Sequence, residues 1–245
     1  MNRKYNILAV IPARGGSKSV PRKNIKHLCG NPLISYMLKA ALGSKMIDCI
    51  AVSSENEEIL CIANRYGKDS DKFVLVKRPK NLALDTTQTL PVVQHALKKL
   101  EKERGKEFDF VVLLHAVSPL TTSRDIDSSI RKLMRTKADS VVSVYEVEGG
   151  MHPMKMKGIR DDKLYQYVPI MPENSFRRQD FDPIYKRAGG IYAVTRKLVV
   201  TGNFRLGFFC GKVTRPYVMP KERAIDIDDW IDFKIAEILM KKQGN

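Results

Sequence analysis

The segment at residues 11–24, IPARGGSKSVPRKN, places four cations in a loop with two adjacent glycines. Arg14 presents a planar fork that matches phosphate oxygens, and Lys18 and Lys23 add point charges. Because Gly15 and its neighbour let the backbone approach an anion closely, we expect their N–H groups to form an anion nest. The spacing is neither that of a P-loop nor that of the dinucleotide fingerprint. The loop predicts a phosphate site, and a solvated basic loop is the alternative.

A second cluster lies at residues 225–231, IDIDDWI. Asp226 and Asp228 are two residues apart, so both carboxylates lie on one side of an extended segment. Two carboxylates on one face suit Mg²⁺, which proteins usually bind through one or two carboxylates together with substrate phosphates. The alternative is acidic capping of the last helix, for which Asp229 is suited.

Other polar residues stand where predicted strands end. Arg78 follows the third strand, an Asp-Thr-Thr loop starts at Asp85, and His115 ends a later strand with Ser118 close behind it. Ligands of an α/β sheet bind at this edge. The adjacent pair that begins at Arg177 can clamp a carboxylate or phosphate, although such pairs are commonly solvated.

The elements that position these residues alternate between short apolar runs and helical patterns. The predicted strands are Asn6–Ile11, Cys49–Val52, Phe73–Val76, Phe110–Leu114, Ser140–Tyr145, Gly189–Val194 and Gly207–Val213. The predicted helices are Asn31–Leu42, a helix capped by Ser54 that ends at Gly67, Thr89–Lys102, Ser123–Leu133 and Asp228–Met240. This pattern predicts an α/β fold with a mostly parallel, doubly wound, Rossmann-like sheet and helices on both faces.

The alternation breaks after Glu146. Residues 149–185 are rich in Pro, Met, Tyr and charge, so we interpret them as an inserted arm, lid or dimerisation element, called the arm below, with a short strand at Leu164–Val168. Residues 1–245 otherwise fit one domain, because single cores stop growing at roughly 250–300 residues.

Composition narrows the class of protein. The chain has 245 residues, 43% of them hydrophobic and 29% charged, which excludes a mainly disordered chain. The net charge of +16 suggests a polyanionic partner. No apolar run approaches the ~20 residues of a membrane span, and the run at Ile7–Pro12 is too short for a signal peptide. We therefore expect a cytoplasmic protein whose four cysteines are reduced and mostly buried.

Together the motifs resemble those of the N-acylneuraminate cytidylyltransferase family, the CMP-sialic acid synthetases. Five segments match in order along nearly the whole chain: IPARGGSKSVPRKN, RPKNLALDTTQT, LLHAVSPL, RRQDFDPIYKRAGGIYA and IDIDDWID. The resemblance implies a nucleotidyltransferase, usually dimeric through the arm. Such enzymes use CTP and Mg²⁺ to add CMP to the anomeric hydroxyl of a nine-carbon 2-keto sugar acid, with release of pyrophosphate.

The resemblance also implies roles for particular residues. The nucleotide site would comprise Pro12, Ala13, Arg14, Gly15, Gly16, Ser17, Lys18, Lys23, Asn24, Arg78, Thr87 and Thr89. The sugar would contact His115, Arg177, Arg178 and Gln179, and Mg²⁺ would bind Asp226 and Asp228. The residues expected to carry the reaction are Arg14, Lys18, Lys23, Arg177, Arg178, Asp226 and Asp228.

Three residues depart from the family pattern on the sugar side. His115 stands where a Gln is usual, Thr121 where an Arg is common, and Ala188 where an Asn often precedes the glycine. We therefore expect His115 to help select the sugar's substituents. Legionaminic, pseudaminic and ketodeoxynonulosonic acids stay open as acceptors.

Two alternative functions remain. The first is a nucleotidyltransferase that acts on octulosonic acid or on a sugar 1-phosphate. The second is a nucleic-acid-binding domain, against which stands the absence of a recognition-helix pattern and of an aromatic stacking motif.

Overall fold

The computed structural model describes residues 5–168, 182–202 and 209–243. The strands, in chain order, are β1 (Ile7–Pro12), β2 (His27–Leu28), β3 (Asn31–Pro32), β4 (Cys49–Ser54), β5 (Phe73–Lys77), β6 (Phe110–Leu114), β7 (Ser140–Glu146), β8 (Lys157–Arg160), β9 (Lys163–Gln166), β10 (Tyr185–Thr195) and β11 (Thr214–Val218). The α-helices are α1 (Leu33–Leu42), α2 (Glu57–Gly67), α3 (Thr89–Arg104), α4 (Ser123–Thr136), α5 (Arg196–Thr201) and α6 (Trp230–Gln243).

Seven strands form the central sheet, in the order β11-β7-β10-β6-β1-β4-β5. Strand β10 runs antiparallel to both of its neighbours, and every other pair in this sheet is parallel. The predicted mostly parallel sheet is confirmed. Strand β1 lies between β4 and β6, so the strand order reverses beside it, and ligands of such sheets bind at that point.

The apolar strands are explained by a core on both faces of the sheet. In β1, Ile7, Ala9 and Ile11 pack with residues of α1, α2 and α4. The alternate residues Leu8 and Val10 pack with residues of α3 and α5. Because both faces are covered, side chains at successive positions are all buried, and the strand reads as one apolar run.

One predicted strand is wrong. Of the predicted strand Gly207–Val213, residues 207 and 208 lie outside the described residues, residues 209–213 are irregular, and the strand begins at Thr214. Phe209 has a left-handed φ of 53°, so the chain bends there instead of extending. Strand β11 tolerates Pro216 because it lies at the edge of the sheet.

The cysteines are all free thiols, but they are not mostly buried. Cys49 and Cys210 are buried, whereas Cys29 and Cys61 are exposed. Burial raises the pKa of the Cys49 thiol to about 11, so this thiol stays protonated near neutral pH.

The predicted arm lies only partly within the described residues. Its described part contains a hairpin, β8 and β9, whose strands pair with each other and not with the central sheet. Strand β9 replaces the expected strand at Leu164–Val168. In the ranges that the structure describes, no helix has both the length and the apolar character needed to cross a membrane.

Candidate active site

A cleft of about 340 Å³ opens at the carboxyl ends of β1, β5 and β6. We call it the first cleft. Its lining contains these predicted site residues: Pro12, Arg14, Ser17, Lys18, Lys23, Asn24, Arg78, Thr87, Thr89 and His115. The chain therefore brings three of the predicted motifs to one place, where the strand order reverses.

Asp85 holds two of the loop cations across the first cleft. Its carboxylate lies 2.5 Å from Arg14 Nη1 and 2.5 Å from Lys18 Nζ. Lys18 and then Arg14 lower the pKa of the Asp85 carboxyl below its ordinary value, so it is ionised near neutral pH. An incoming anion that binds both cations has to displace this carboxylate.

Lys23 ties the loop to the acidic segment near the end of the chain. Its Nζ donates to the carbonyl of Ile227 at 2.6 Å and lies 3.8 Å from Asp228 Oδ1. Ser19 Oγ also donates to the Asp228 carbonyl, at 2.5 Å. The loop at residues 11–24 and the acidic segment at residues 225–231 are thus neighbours, although about 200 residues separate them in the sequence.

The expected anion nest is wrong at Gly15. The Gly15 N–H donates to Glu55 Oε1 at 2.7 Å, so this amide is satisfied by the protein. The glycine is needed for another reason, since a Cβ there would lie 2.8 Å from Asn56 Nδ2. Ala13 is buried, and its N–H donates to the Ser53 carbonyl on β4.

Arg78 is a buried cation in the wall of the first cleft. It is 5% exposed, and its Nη2 donates to Glu55 Oε2 at 2.5 Å and to the Ala13 carbonyl at 3.4 Å. Its Nε has no hydrogen-bond partner within the described part of the chain. Arg78 is therefore held in the wall by Glu55 and the Ala13 carbonyl.

Another cleft, of about 420 Å³, lies beside strand β10. We call it the second cleft. The described residues that line it are Lys186, Arg187, Gly189, Tyr192 and Asp226. It therefore combines two cations with one carboxylate of the predicted metal pair.

Asp226 lies against the backbone of β10. Ser118 Oγ donates to its Oδ1, and a Cβ on Gly189, whose φ is 63°, would overlap its carboxylate. Burial raises the pKa of Asp226 to about 7, the Ser118 hydrogen bond opposes this, and the Asp228 charge adds to it. No salt bridge to Asp226 forms among the residues that the structure describes.

The other two aspartates of residues 225–231, Asp228 and Asp229, differ in what their carboxylates do. Asp229 Oδ1 accepts from the N–H groups of Ile231 and Asp232, so it caps α6 as the alternative reading expected. Asp228 is exposed, and only its backbone N–H joins the cap, through a bond to Asp232. Capping therefore accounts for Asp229 and leaves the carboxylates of Asp226 and Asp228 for other chemistry.

His115 lies between the two clefts. It lines the first cleft, and its ring is 5.5 Å from the ring of Tyr192, which lines the second. Burial lowers the pKa of His115 to about 4, so its imidazole is neutral near pH 7. A neutral imidazole offers one donor and one acceptor.

Several predicted residues lie elsewhere. Arg177, Arg178 and Gln179 fall outside the described residues. Thr121 and Ala188 are buried beneath the site, and neither belongs to the described lining of the two clefts. A Cβ on Gly190 would lie 2.7 Å from Thr121 Oγ1, so the glycine allows β10 to pass close to Thr121.

Sequence reasoning missed the roles of Glu55, Ser118 and Gly189. Glu55 is one of several acidic residues around the start of α2, and no spacing distinguishes it. Gly189 could have been found, because adjacent glycines inside a strand indicate a close approach by another group. That group is the Asp226 carboxylate.

The carboxylate pair fits a divalent cation. Asp226 and Asp228 repel each other, and burial disfavours the charge on Asp226, so a cation would relieve both effects. No cluster of three or more metal-ligating side chains occurs in the described ranges. Two protein carboxylates, with remaining positions left for substrate oxygens and water, is the arrangement that Mg²⁺ uses.

Comparisons with known proteins identify relatives of this chain. A family model described as cytidylyltransferase matches residues 8–202. A pseudaminic acid cytidylyltransferase of Campylobacter jejuni is 32% identical over 96% of each chain. A CMP-N,N'-diacetyllegionaminic acid synthase of Legionella pneumophila is 33% identical over 96% of each chain. The structure of a CMP:2-keto-3-deoxy-manno-octonic acid synthetase complexed with CTP has a TM-score of 0.68 at 15% identity, covering 97% of this chain and 99% of that chain.

Proposed function

The chain belongs to the cytidylyltransferase family, and we propose that it transfers CMP from CTP to the anomeric hydroxyl of a sialic-acid-like 2-keto sugar acid. The observation that carries this proposal is the junction of the two clefts. Asp226 lines the second cleft, which has its own cations, and Asp228 lies 3.8 Å from Lys23, a cation that lines the first cleft. Relatives at similar identity are named for pseudaminic and legionaminic acids, so the acceptor is proposed as a class.

The first cleft would bind CTP. Arg14 and Lys18 exchange Asp85 for the triphosphate and stabilise the charge that grows on the departing pyrophosphate. Lys23 lies beside Asp228 and supplies a cation near the reacting phosphate. Arg78, Thr87 and Thr89 in the wall of the cleft would border the cytidine, and Pro12, Ser17 and Asn24 would complete the nucleotide site.

The second cleft would bind the sugar acid. Lys186 and Arg187 are its described cations, and a carboxylate ligand needs such partners. Arg177, Arg178 and Gln179 remain part of the proposal as residues of the arm. His115 would contact the acceptor from the wall that the clefts share, with its neutral imidazole as donor and acceptor.

Asp226 and Asp228 would hold Mg²⁺, which when bound neutralises phosphate charge. Ser118 orients the Asp226 carboxylate, and Gly189 leaves the space that this carboxylate occupies. The chain's own contribution to the reaction is therefore positioning and charge neutralisation at the junction of the two clefts.

We further propose a cytoplasmic homodimer of single-domain chains, joined through the arm at residues 149–185. The described part of the arm exposes large apolar side chains, including Met151, Ile159, Leu164 and Tyr167. Exposed apolar patches of this kind are typical of protein interfaces. Ile159→Asp combined with Leu164→Asp should lower the mass in solution measured by light scattering to that of one chain, and an unchanged mass would contradict the arm as the interface.

The proposed function is tested by incubating the protein with CTP, Mg²⁺ and N-acetylneuraminic, legionaminic or pseudaminic acid. We expect pyrophosphate and a CMP-sugar in equal amounts with at least one acid. Product formation with a sugar 1-phosphate and with none of the keto acids would instead favour the alternative nucleotidyltransferase.

A further inference from the structure

We propose that Glu55 is a positioning residue for CTP, which it serves by holding the Gly15 backbone and the Arg78 side chain with a single carboxylate. This inference rests on the proposed function, because it concerns the same cleft. Glu55 is not part of the described lining of the first cleft and acts on a ligand only through these two neighbours.

Each oxygen of the carboxylate holds one element of the site. Oε1 accepts the Gly15 N–H at 2.7 Å, and Oε2 accepts Arg78 Nη2 at 2.5 Å. Gly15 follows β1, Arg78 follows β5, and Glu55 follows β4, which lies between those two strands in the sheet. One side chain therefore fixes the relative position of two loops that line the cleft.

The pair is buried enough for its geometry to matter. The Arg78 side chain is 4% exposed and that of Glu55 is 17% exposed. Burial by itself would raise the pKa of the Glu55 carboxyl, but the Gly15 amide and Arg78 outweigh it and leave the pKa lowered. Glu55 thus carries its charge near neutral pH and neutralises a cation that would otherwise be buried alone.

The contact with Glu55 fixes the orientation of the Arg78 guanidinium. Nη2 is committed to Glu55 and to the Ala13 carbonyl, whereas Nε has no partner among the described residues. With Nη2 anchored at both acceptors, the guanidinium plane is fixed in the wall of the first cleft, which Arg78 lines. Loss of the anchor would let the guanidinium turn and let the Gly15 loop shift.

A purely electrostatic role predicts the opposite sign from a positioning role. CTP is strongly anionic, so removal of a nearby carboxylate should tighten its binding if charge alone matters. If Glu55 acts by positioning, Glu55→Gln should weaken CTP binding by about tenfold, the effect of one hydrogen bond to a charged group. The sign of the change separates the two roles.

The experiment measures CTP binding by titration calorimetry and the KM values for CTP and for the sugar acid, in wild type, Glu55→Gln and Glu55→Asp. Glu57→Gln is the matched control, because Glu57 belongs to the same helix end but pairs with exposed Lys77. We expect Glu55→Gln to raise the Kd and the KM for CTP and to leave the KM for the sugar acid within about twofold of wild type. Glu57→Gln should match wild type in all of these constants.

Equal or tighter CTP binding by Glu55→Gln overturns the inference. If Glu55→Gln unfolds at the assay temperature, Glu55→Asp decides, because it keeps the charge but is one methylene too short to hold both partners. Weaker CTP binding by Glu55→Asp supports positioning, and binding equal to wild type overturns it. A wild-type protein that does not bind CTP refutes the proposed function instead, before any variant is compared.

Discussion

The two clefts of this protein differ in how their charges are balanced. In the first cleft the cations already have partners: Asp85 for Arg14 and Lys18, and Glu55 for Arg78. In the second cleft Asp226 is buried and has no ion pair among the described residues. An anion that binds Arg14 and Lys18 in the first cleft has to displace the Asp85 carboxylate. A cation that binds Asp226 would instead supply an ion-pair partner that this carboxylate lacks among the described residues.

Asp226→Asn tests this difference between the clefts with the largest expected effect. Loss of the carboxylate should lower the turnover number by more than about a hundredfold, as expected for a group that neutralises transition-state charge. Enzyme assays with saturating CTP and Mg²⁺ measure this loss. A rate near that of wild type would leave helix capping as the main role of the motif.

The same variant should stabilise the protein in the absence of metal. The pKa of Asp226 is raised from 3.8 to about 7, so ionisation opposes folding. The wild type should therefore lose stability as the pH rises from about 4 to about 7, by a few kcal/mol at most. Asp226→Asn should raise the Tm at pH 8 and leave it unchanged at pH 4. A Tm at pH 8 that is lower for Asp226→Asn than for wild type would contradict the claim that the Asp226 charge opposes folding.

Arg14→Ala tests the first cleft. It should reduce kcat/KM for CTP by more than about tenfold, because a charged hydrogen bond to phosphate is worth roughly 1.5–3 kcal/mol. Arg22→Ala is the control, since Arg22 is a cation of the same loop that pairs with Glu58 outside the first cleft. Equal losses in both variants would indicate a general effect of positive charge.

Asp85→Asn should have a smaller effect of the opposite sign. Triphosphate no longer has to displace a carboxylate from Arg14 and Lys18, so CTP should bind about two- to fivefold more tightly, as expected for exposed ion pairs. Calorimetry at low and high salt should show that the gain shrinks with salt. Weaker binding would mean that Asp85 positions the two cations.

His115→Gln should have the smallest effect on rate and should change selectivity. We expect a shift in preference among nine-carbon keto acids towards N-acetylneuraminic acid, with a CTP affinity within about twofold of wild type. Because burial lowers the pKa of His115 to about 4, the wild-type ranking should be the same at pH 6 and pH 8. A main defect in CTP binding would remove His115 from the sugar site.

The sequence predicted what depends on local pattern. Strand Phe110–Leu114 was predicted at its observed bounds because a fully buried strand reads as one apolar run. Arg14, Lys18 and Lys23 were predicted to share a site because they share one loop, and all three line the first cleft. The approach of Lys23 to Ile227 and Asp228 was less visible, because it depends on where a segment about 200 residues away lies in the fold.

The remaining features depend on tertiary contacts that no spacing records. The Gly15 amide was assigned to a ligand, but it donates to Glu55, a residue of another loop. The strand expected at Gly207–Val213 has an apolar sequence, but buried Phe209 takes a left-handed turn. Cys29 and Cys61 lie beside apolar residues and are nonetheless exposed, because Cys29 lies in the turn between β2 and β3 and Cys61 lies on the exposed side of α2.

One measurement tests the central claim most directly: pyrophosphate release with each of the four nucleoside triphosphates against a panel of 2-keto sugar acids, with the CMP-sugar identified by mass spectrometry. We predict release with CTP and at least one nine-carbon acid, with little or none from ATP, GTP or UTP. Equal release from all four triphosphates, or none with any keto acid, would contradict the assignment of the two clefts to CTP and an acidic sugar.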